Sequence, residues 1–311
     1  MNTPLALIIT FNPDSSFFLR FSHFFAEFEA LLIVDNGSNG EVQHLLEEIQ
    51  RDNENLHIIY NPENFGISTA LNQGFQWAIE HVYQEVVPFD QDSFPLGGMV
   101  AELKKVQQKH LNKQSLAIVA PIIADPIAKV KAQYPRPRYK VFFERKSCEG
   151  ETLENITSVI TAGALYNLDI YQKLGPFLDD FFIDYVDTEY CLRANQNGYK
   201  IAVACEAYLN HRLGERERRK FLGITFFPTF HSPLRWYYIS RNRIPMLKKY
   251  ALHMPHWFFY EIIASFYTLI RMLFFENHKK SKLQAIFLGT RDGLCGKMGK
   301  ARNEIVKKLS D

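Results

Sequence analysis

The stretch Val86-Val87-Pro88-Phe89-Asp90-Gln91-Asp92-Ser93 decides how this chain is read. Residues 86–89 form a short apolar run of the kind that fills a strand buried on both faces. Two carboxylates one residue apart follow at once. Oxygen ligands so spaced suit a hard divalent cation, Mg2+ or Mn2+, which keeps other positions for water or phosphate oxygens. A lone Asp-x-Asp is more often a pair of solvated loop acids, so the reading depends on what surrounds it.

Upstream, short β-rich runs at 5–9, 31–34 and 57–60 alternate with helical spacing of apolar residues at 41–51 and 67–85. The alternation continues with a helix at 96–110 and a strand at 116–120. It predicts an α/β fold with a mostly parallel sheet and helices on both faces. Ligands of such sheets bind beyond the carboxyl ends of the strands, where Asp35 and Asp90 fall. No Gly-x-Gly-x-x-Gly and no Walker-type phosphate loop is present. Downstream, Tyr134-Pro135-Arg136-Pro137-Arg138 must be extended and reads as an edge excursion near the acceptor side. A strand-like stretch at 158–166, a helix at 186–196 stopped by Asn197-Gly198, and a strand at 201–209 complete the first domain, 1–220.

The second region, 221–311, is aromatic and basic. A helix-like stretch runs from Arg235 to Tyr250. The run 257–275 is strongly apolar but contains Glu261 and Arg271, which favours an interfacial helix over a span. Lysines follow, among them Lys279, Lys280, Lys282, Lys300 and Lys308, a charge that suits an anionic membrane surface. Packing on itself or on a second subunit, as an oligomer, is the competing expectation. A net charge of +2 over 311 residues argues against a general nucleic-acid binder. Cys148, Cys191, Cys205 and Cys295 are scattered, which suits free thiols in a reducing cytosol. The first ten residues carry no basic n-region, so a cytoplasmic protein is expected.

Several constellations can carry chemistry. Asp35-Asn36-Gly37-Ser38 closes a strand with an acid that could accept from a nucleobase or ribose, although Asn-Gly alone is a strong turn signal. Asn64-Phe65-Gly66 leads into a helix carrying Ala70, Asn72 and Gly74. Those small residues permit close approach to the sheet or to a ligand, and Asn64 could equally cap the helix. Asp184, Asp187 and Glu189 stand where an apolar stretch meets a helix start. The helix dipole favours acids there, while Phe181, Phe182 and Ile183 would desolvate a carboxylate toward a general base. Arg193, four residues after Glu189, can pair with it. His211 ends a strand and could complete a metal site beside Asp92. Arg212, Arg216, Arg218, Arg219 and Lys220 then form either a phosphate-binding cluster or a solvated loop.

Taken together, these residues resemble the family 2 glycosyltransferases with the GT-A fold. The likeness runs through Ile8-Ile9-Thr10-Phe11-Asn12, Asp35-Asn36-Gly37-Ser38, Asn64-Phe65-Gly66, Asp90-Gln91-Asp92-Ser93, the run from Asp184 to Arg193, and His211-Arg212-Leu213-Gly214. Asp-Gln-Asp-Ser, the run around Asp187, and Tyr237-Tyr238 with Arg241-Asn242 look most like the rhamnosyltransferase branch that builds O-antigen or capsule polysaccharides in bacteria. The resemblance implies a nucleotide-diphosphate sugar donor, dTDP-L-rhamnose, and a glycan or lipid-linked saccharide acceptor. It implies a donor site from Thr10, Asn12, Asp35, Asn64, Gly66, Asn72, Asp90 and Gln91, with Thr10 and Asp35 on the nucleoside and Asp90 near ribose or sugar. Asp92 would ligate the metal and Asp187 would be the base of an inverting hexosyl transfer. Asp184 is the competing base, because Val186-Asp187 stands where many members have Glu-Asp. Glu189 and Arg193 would support the site. A sugar nucleotidyltransferase or a non-catalytic nucleotide-sugar-binding module are the alternative functions.

Overall fold

Along β1 (Leu5–Thr10), Leu5, Leu7 and Ile9 pack into one core and Ala6 and Ile8 into another. The same period of two sorts β2 (Leu31–Asp35), with Leu32 and Val34 against Leu31 and Ile33. Both faces of the sheet are therefore covered, as near-continuous apolar strands require. The computed structural model describes residues 3–109, 115–124, 132–139, 141–211, 219–221 and 224–310, without the side chains of 219–226 and 310. Arg212, Leu213, Gly214, Arg216 and Arg218 lie outside the described residues, and of Arg219 and Lys220 only the backbone is described.

Between these strands come α1 (Ser15–Phe18) and α2 (Phe21–Phe25), followed after β2 by α3 (Gly40–Arg51), β3 (Leu56–Tyr60), α4 (Ile67–Glu80) and β4 (Glu85–Asp90). Next come β5 (Ser93–Pro95), α5 (Met99–Lys109), β6 (Leu116–Ala124), a hairpin of β7 (Gln133–Arg138) and β8 (Phe142–Ser147), β9 (Thr152–Glu154) and β10 (Leu165–Asn167). Then follow α6 (Leu168–Leu174), a 3-10 turn Asp179–Phe181, α7 (Val186–Gln196), β11 (Lys200–His211) and the short pair β12 (Arg219–Phe221) and β13 (Ile224–Phe226). The chain closes with α8 (Pro233–Tyr250), α9 (Pro255–Phe275), α10 (Lys279–Leu294) and α11 (Asn303–Ser310).

The main sheet runs β3-β2-β1-β4-β10-β6-β11-β5, with β9 also on β11. Its first four strands are parallel, as expected. Across the whole sheet six of the nine strands (β3, β2, β1, β4, β6 and β11) run the same way, which makes it mostly parallel; β10, between β4 and β6, and the short β5 and β9 on β11 run against them. The parallel register matters for the site. It sets Thr10 beside Asp35, Asp35 beside Tyr60, and Ile9 beside Asp90, so one sheet edge gathers the strand-end polar residues.

Several expectations shift in detail. The helix from Ile67 stops at Glu80, because Glu85 already belongs to β4. The helix expected at 96–110 starts at Met99, after Gly97-Gly98. The strand expected at 158–166 is reduced to Leu165–Asn167, since a turn closed by the Ala164 N–H on the Thr161 carbonyl interrupts it. The Tyr134–Arg138 excursion is β7, paired with β8 apart from the main sheet. The free-thiol expectation is corrected for two of the four cysteines: Cys148 and Cys205 form a disulfide, leaving Cys191 and Cys295 as thiols. Cys148 and Cys205 are 57 residues apart, and folding brings them together where the Cys205 N–H bonds the Glu151 carbonyl beside β9.

The C-terminal helices are welded to the sheet. Met246, Tyr250, Met254 and Trp257 belong to the same core as β1 and α4. α8 and α10 pack closely enough that a Cβ on Gly289 would lie 2.3 Å from the Tyr237 carbonyl oxygen, and one on Gly293 would lie 2.5 Å from that of Arg241. Only glycine fits such an approach. Lys282, expected on the basic surface, is instead buried and paired with the equally buried Glu276 at 2.7 Å.

Candidate active site

Asp90 and Asp92 stand at the exit of β4, where one sheet edge and one strand pairing converge. β5 returns antiparallel to β11, setting Ser93 opposite His211. That register brings the imidazole to the two acids across more than a hundred residues of chain. His211 Nδ1 lies 3.3 Å from Asp92 Oδ1, and Nε2 lies 3.6 Å from Asp90 Oδ2. One ligand atom from each of the three residues lies within 4.8 Å of the others. Two carboxylates and an imidazole so gathered fit a divalent cation, with positions left for a ligand's oxygens. The Asp92 carboxylate is half exposed. Partial burial works to raise its pKa, but the hydrogen bond and charge of His211 outweigh it and hold it low.

A cleft of about 690 Å³ opens from this corner. Asp90, Gln91, Asp92 and His211 line one part of it, and Asp184, Tyr185 and Asp187 another. Asp187 is the second residue of α7, where the helix dipole would lower its pKa. Desolvation by the cleft walls wins: it pushes Asp187 up to about 6, helped by the charges of Asp184 and Asp90 and opposed by hydrogen bonds from Thr188. Among the described residues, the Asp187 carboxylate accepts from the Thr188 N–H at 2.6 Å and hydroxyl at 3.3 Å, with no cationic partner. Asp184 differs. Burial raises its pKa as well, but Arg235 of α8 donates to it from Nη2 at 3.0 Å and from Nε at 3.2 Å.

The expected donor residues divide into two groups. Gln91 accepts from the Phe11 N–H at 2.8 Å, and its carbonyl takes Arg20 Nη1 at 2.8 Å, so the β4 turn is tied to the loop after β1. Thr10 and Asp35 are fully buried and face each other. Asp35 Oδ1 accepts from the Thr10 and Ser38 hydroxyls, and Oδ2 from the Ser38 N–H and Gln43 Nε2. In this geometry they shape the turn rather than present a free carboxylate. Asn12, exposed, ties in the same turn by accepting from the Asn39 N–H at 2.9 Å. Asn64 accepts from Asn36 Nδ2 and from the Gly66 N–H rather than capping α4. Gly66 has φ +92°, and a Cβ there would lie 2.6 Å from the Phe182 carbonyl oxygen. Asn72 does not face the cleft. It binds the Phe177 carbonyl and Asp179 through Nδ2 and accepts from the Tyr171 hydroxyl and the Phe177 N–H, which makes it a latch for the segment before the 3-10 turn. Gly74 lies against Leu7, so the small residue serves the sheet.

Glu189, 1% exposed, accepts from Arg193 at 2.9 Å, Lys249 at 2.8 Å and the Tyr250 hydroxyl at 2.8 Å, joining α7 to α8. Arg193 also donates to the Leu174, Gly175 and Pro176 carbonyls. Sequence reading missed Arg235, Thr161, Thr229 and His231 as cleft residues. Nothing in their spacing singles them out, since they reach the cleft from segments far from either aspartate pair.

A strand-end acid pair with a histidine, facing partly buried carboxylates across a cleft on this sheet, defines a GT-A glycosyltransferase. Residues 21–175 match the family described as Glycosyl transferase family 2. The chain belongs to that family. It is similar to the dTDP-rhamnosyl transferase RfbF of Shigella flexneri, with 26% identity over 96% of this chain and 97% of that one. Among solved structures, S. aureus TarS 1-349 superposes with a TM-score of 0.58 at 12% identity, over 93% of this chain and 80% of that one. The mannosyltransferase PcManGT from Pyrobaculum calidifontis, in complex with GDP-Man and Mn2+, gives 0.56 at 12% identity, over 99% of this chain and 78% of that one. GalNAc-T7 with UDP, GalNAc and Mn2+ gives 0.57 at 15% identity over 71% of this chain, which spans 44% of that protein's chain. These likenesses carry the fold.

Proposed function

We propose that this enzyme transfers L-rhamnose from dTDP-L-rhamnose, with inversion, onto a hydroxyl of a glycan or lipid-linked saccharide in bacterial surface-polysaccharide synthesis. The observation that carries the reading is the shared cleft, with Asp92 and His211 on one side and Asp187 on the other. The full-length likeness to a dTDP-rhamnosyl transferase supports the choice of donor. Asp187 takes the proton of the acceptor hydroxyl as that oxygen attacks the anomeric carbon. The bond from that carbon to the diphosphate oxygen breaks, and its electron pair leaves with the diphosphate. A base pushed up to about 6 is ionised at neutral pH yet close enough to it for effective proton transfer. Mg2+ or Mn2+ held by Asp92 and His211, with Asp90 alongside, would supply positive charge to the leaving diphosphate. Asp184, tied to Arg235, is the less apt base and serves to keep Arg235 at the cleft. Gln91 anchors the turn that carries both metal-side aspartates.

The same reading sets the enzyme on an anionic bilayer at the cytoplasmic face. α9 is long and apolar enough to span a membrane by length and composition. Its inner side is occupied, however, by Glu261 against Arg243 and Tyr185. Phe259, Ile262, Ile263 and Phe266 form an outward stripe at helical spacing, with exposures of 45, 43, 58 and 65%. Exposed Lys279 and Lys280 follow the helix. This arrangement supports a helix lying in the headgroup zone.

The test is a panel of nucleotide sugars with and without Mn2+, read by thermal shift and by the nucleotide released on addition of acceptor. Selective stabilisation by dTDP-L-rhamnose and release of dTDP are expected. Release of pyrophosphate would instead indicate a nucleotidyltransferase.

A further inference from the structure

The turn that delivers both cleft carboxylates adopts a backbone that its own residues disfavour. Phe182, Asp184 and Tyr185 have φ of +60°, +64° and +65°, a region that residues other than glycine occupy rarely. Such conformations persist only where the surroundings over-determine them. Here the surroundings are one side of α8. Asn242 Nδ2 donates to the carbonyls of Phe181, Ile183 and Asp184 at 2.9, 2.8 and 3.0 Å. Arg241 Nη2 donates to the Phe181 carbonyl at 3.2 Å and that of Asp180 at 3.3 Å. Arg241 Nε donates to Asn242 Oδ1 at 3.0 Å, which fixes the orientation of the amide. Both side chains are 0% exposed. At the far end of the turn, the Tyr185 hydroxyl is held by Glu261 and by Arg243. Opposite α8, the Ile67 N–H at the start of α4 bonds the Phe182 carbonyl at 2.7 Å.

We propose that Asn242, oriented by Arg241, is a positioning residue for sugar transfer: by holding the carbonyls of residues 181, 183 and 184 it fixes the turn that aims Asp187 into the cleft. The proposal rests on the reading of Asp187 as the base. It also makes α8 part of the catalytic unit rather than an appendage. Apolar side chains could press α8 against this turn, but only donors can hold its carbonyls at set places. Burying a guanidinium and an amide in a helix interface is unfavourable unless every polar atom finds such partners. The consequence is directional. Without the Asn242 donors the turn relaxes and Asp187 moves, while Asp90, Asp92 and His211 keep their places on β4 and β11.

The test uses the full chain with Asn242→Ala and Asn242→Asp, the latter keeping the shape and the acceptor for Arg241. We expect kcat to fall about a hundredfold, as for a misplaced reacting group, with KM for the donor within about twofold. In an Asp187→Asn background the same substitutions should cost less than about twofold of the residual rate, because the position of an absent base no longer matters. A hundredfold loss in both backgrounds, or a donor KM that rises as kcat falls, would overturn the proposal. If the Asn242 variants do not fold, Tyr185→Phe enters the same cycle, removing only the hydroxyl at the end of the turn. A smaller kcat loss that vanishes with Asp187→Asn supports the clamp, and an additive loss overturns it. The Asp187→Asn arm also separates the two ideas: near wild-type activity there would sink the base assignment itself.

Discussion

Arg235 grips Asp184 at 3.0 Å, while Asp187, three residues further along the same cleft wall, has no cationic partner among the described residues. On the proposed assignment the two carboxylates do different work. A carboxylate already paired is a poor proton acceptor, and its loss removes an anchor rather than a base. Asp184→Asn and Arg235→Gln should each lower the rate of dTDP release by about tenfold through disturbed alignment. A loss as large as that of Asp187→Asn would reverse the two assignments.

The pH dependence follows from the shift on Asp187. As the proposed base Asp187 must be ionised, so kcat/KM should fall about tenfold per pH unit below about 6. The linked effect on stability has the opposite sense. The folded pKa lies above the ordinary carboxylate value of 3.8, so between the two values the folded state binds more protons than the unfolded one. Stability contributed by this group is present at low pH and is lost as pH rises through about 6. Asp187→Asn should therefore raise Tm at pH 7.5 and do so less at pH 5. A variant that is equally stabilised or destabilised at both would show that the carboxyl is not desolvated.

The metal corner makes a separable prediction. Asp92→Ala should remove the Mn2+ dependence of donor binding, and His211→Ala should weaken it by about tenfold or more. Titration of dTDP with and without chelator reads both. Unchanged affinity under chelation in the wild type would remove the cation from the account.

The outward stripe of α9 predicts binding to vesicles containing anionic lipid. Ile263→Asp with Phe266→Asp should reduce co-sedimentation several-fold, leaving the circular dichroism spectrum unchanged, because both residues face outward. Unaltered partitioning together with a change in oligomeric state would assign the stripe to a second copy instead.

Much of this was legible from the chain. Local periodicity gave the parallel half of the sheet, and the end of α7 is marked by Asn197-Gly198 as a helix stop. The Asp-x-Asp at the end of an apolar run was visible because strand and acids are adjacent in sequence. What escaped depends on distance along the chain. The Cys148–Cys205 bond joins elements whose pairing no local pattern encodes. The turn at Asp35-Asn36-Gly37-Ser38 is legible in the chain, whereas the nucleoside contact at Asp35 is only what the resemblance implies; in the fold Thr10, Ser38 and Gln43 bond its oxygens. The segment that Asn72 latches, Phe177 to Asp179, lies more than a hundred residues away, beyond the reach of any local pattern. The α8 residues Arg235 and Asn242 act on carboxyl and backbone groups 51 and 59 residues upstream, a relation that only the folded chain displays.

The most direct measurement sets donor binding beside turnover in Asp187→Asn. With Mn2+ present, dTDP-L-rhamnose should bind within about threefold of the wild type, while acceptor-dependent release of dTDP falls about a thousandfold. Parallel loss of affinity and turnover, or retained turnover, would contradict a proton acceptor at position 187 facing the cation corner across the cleft.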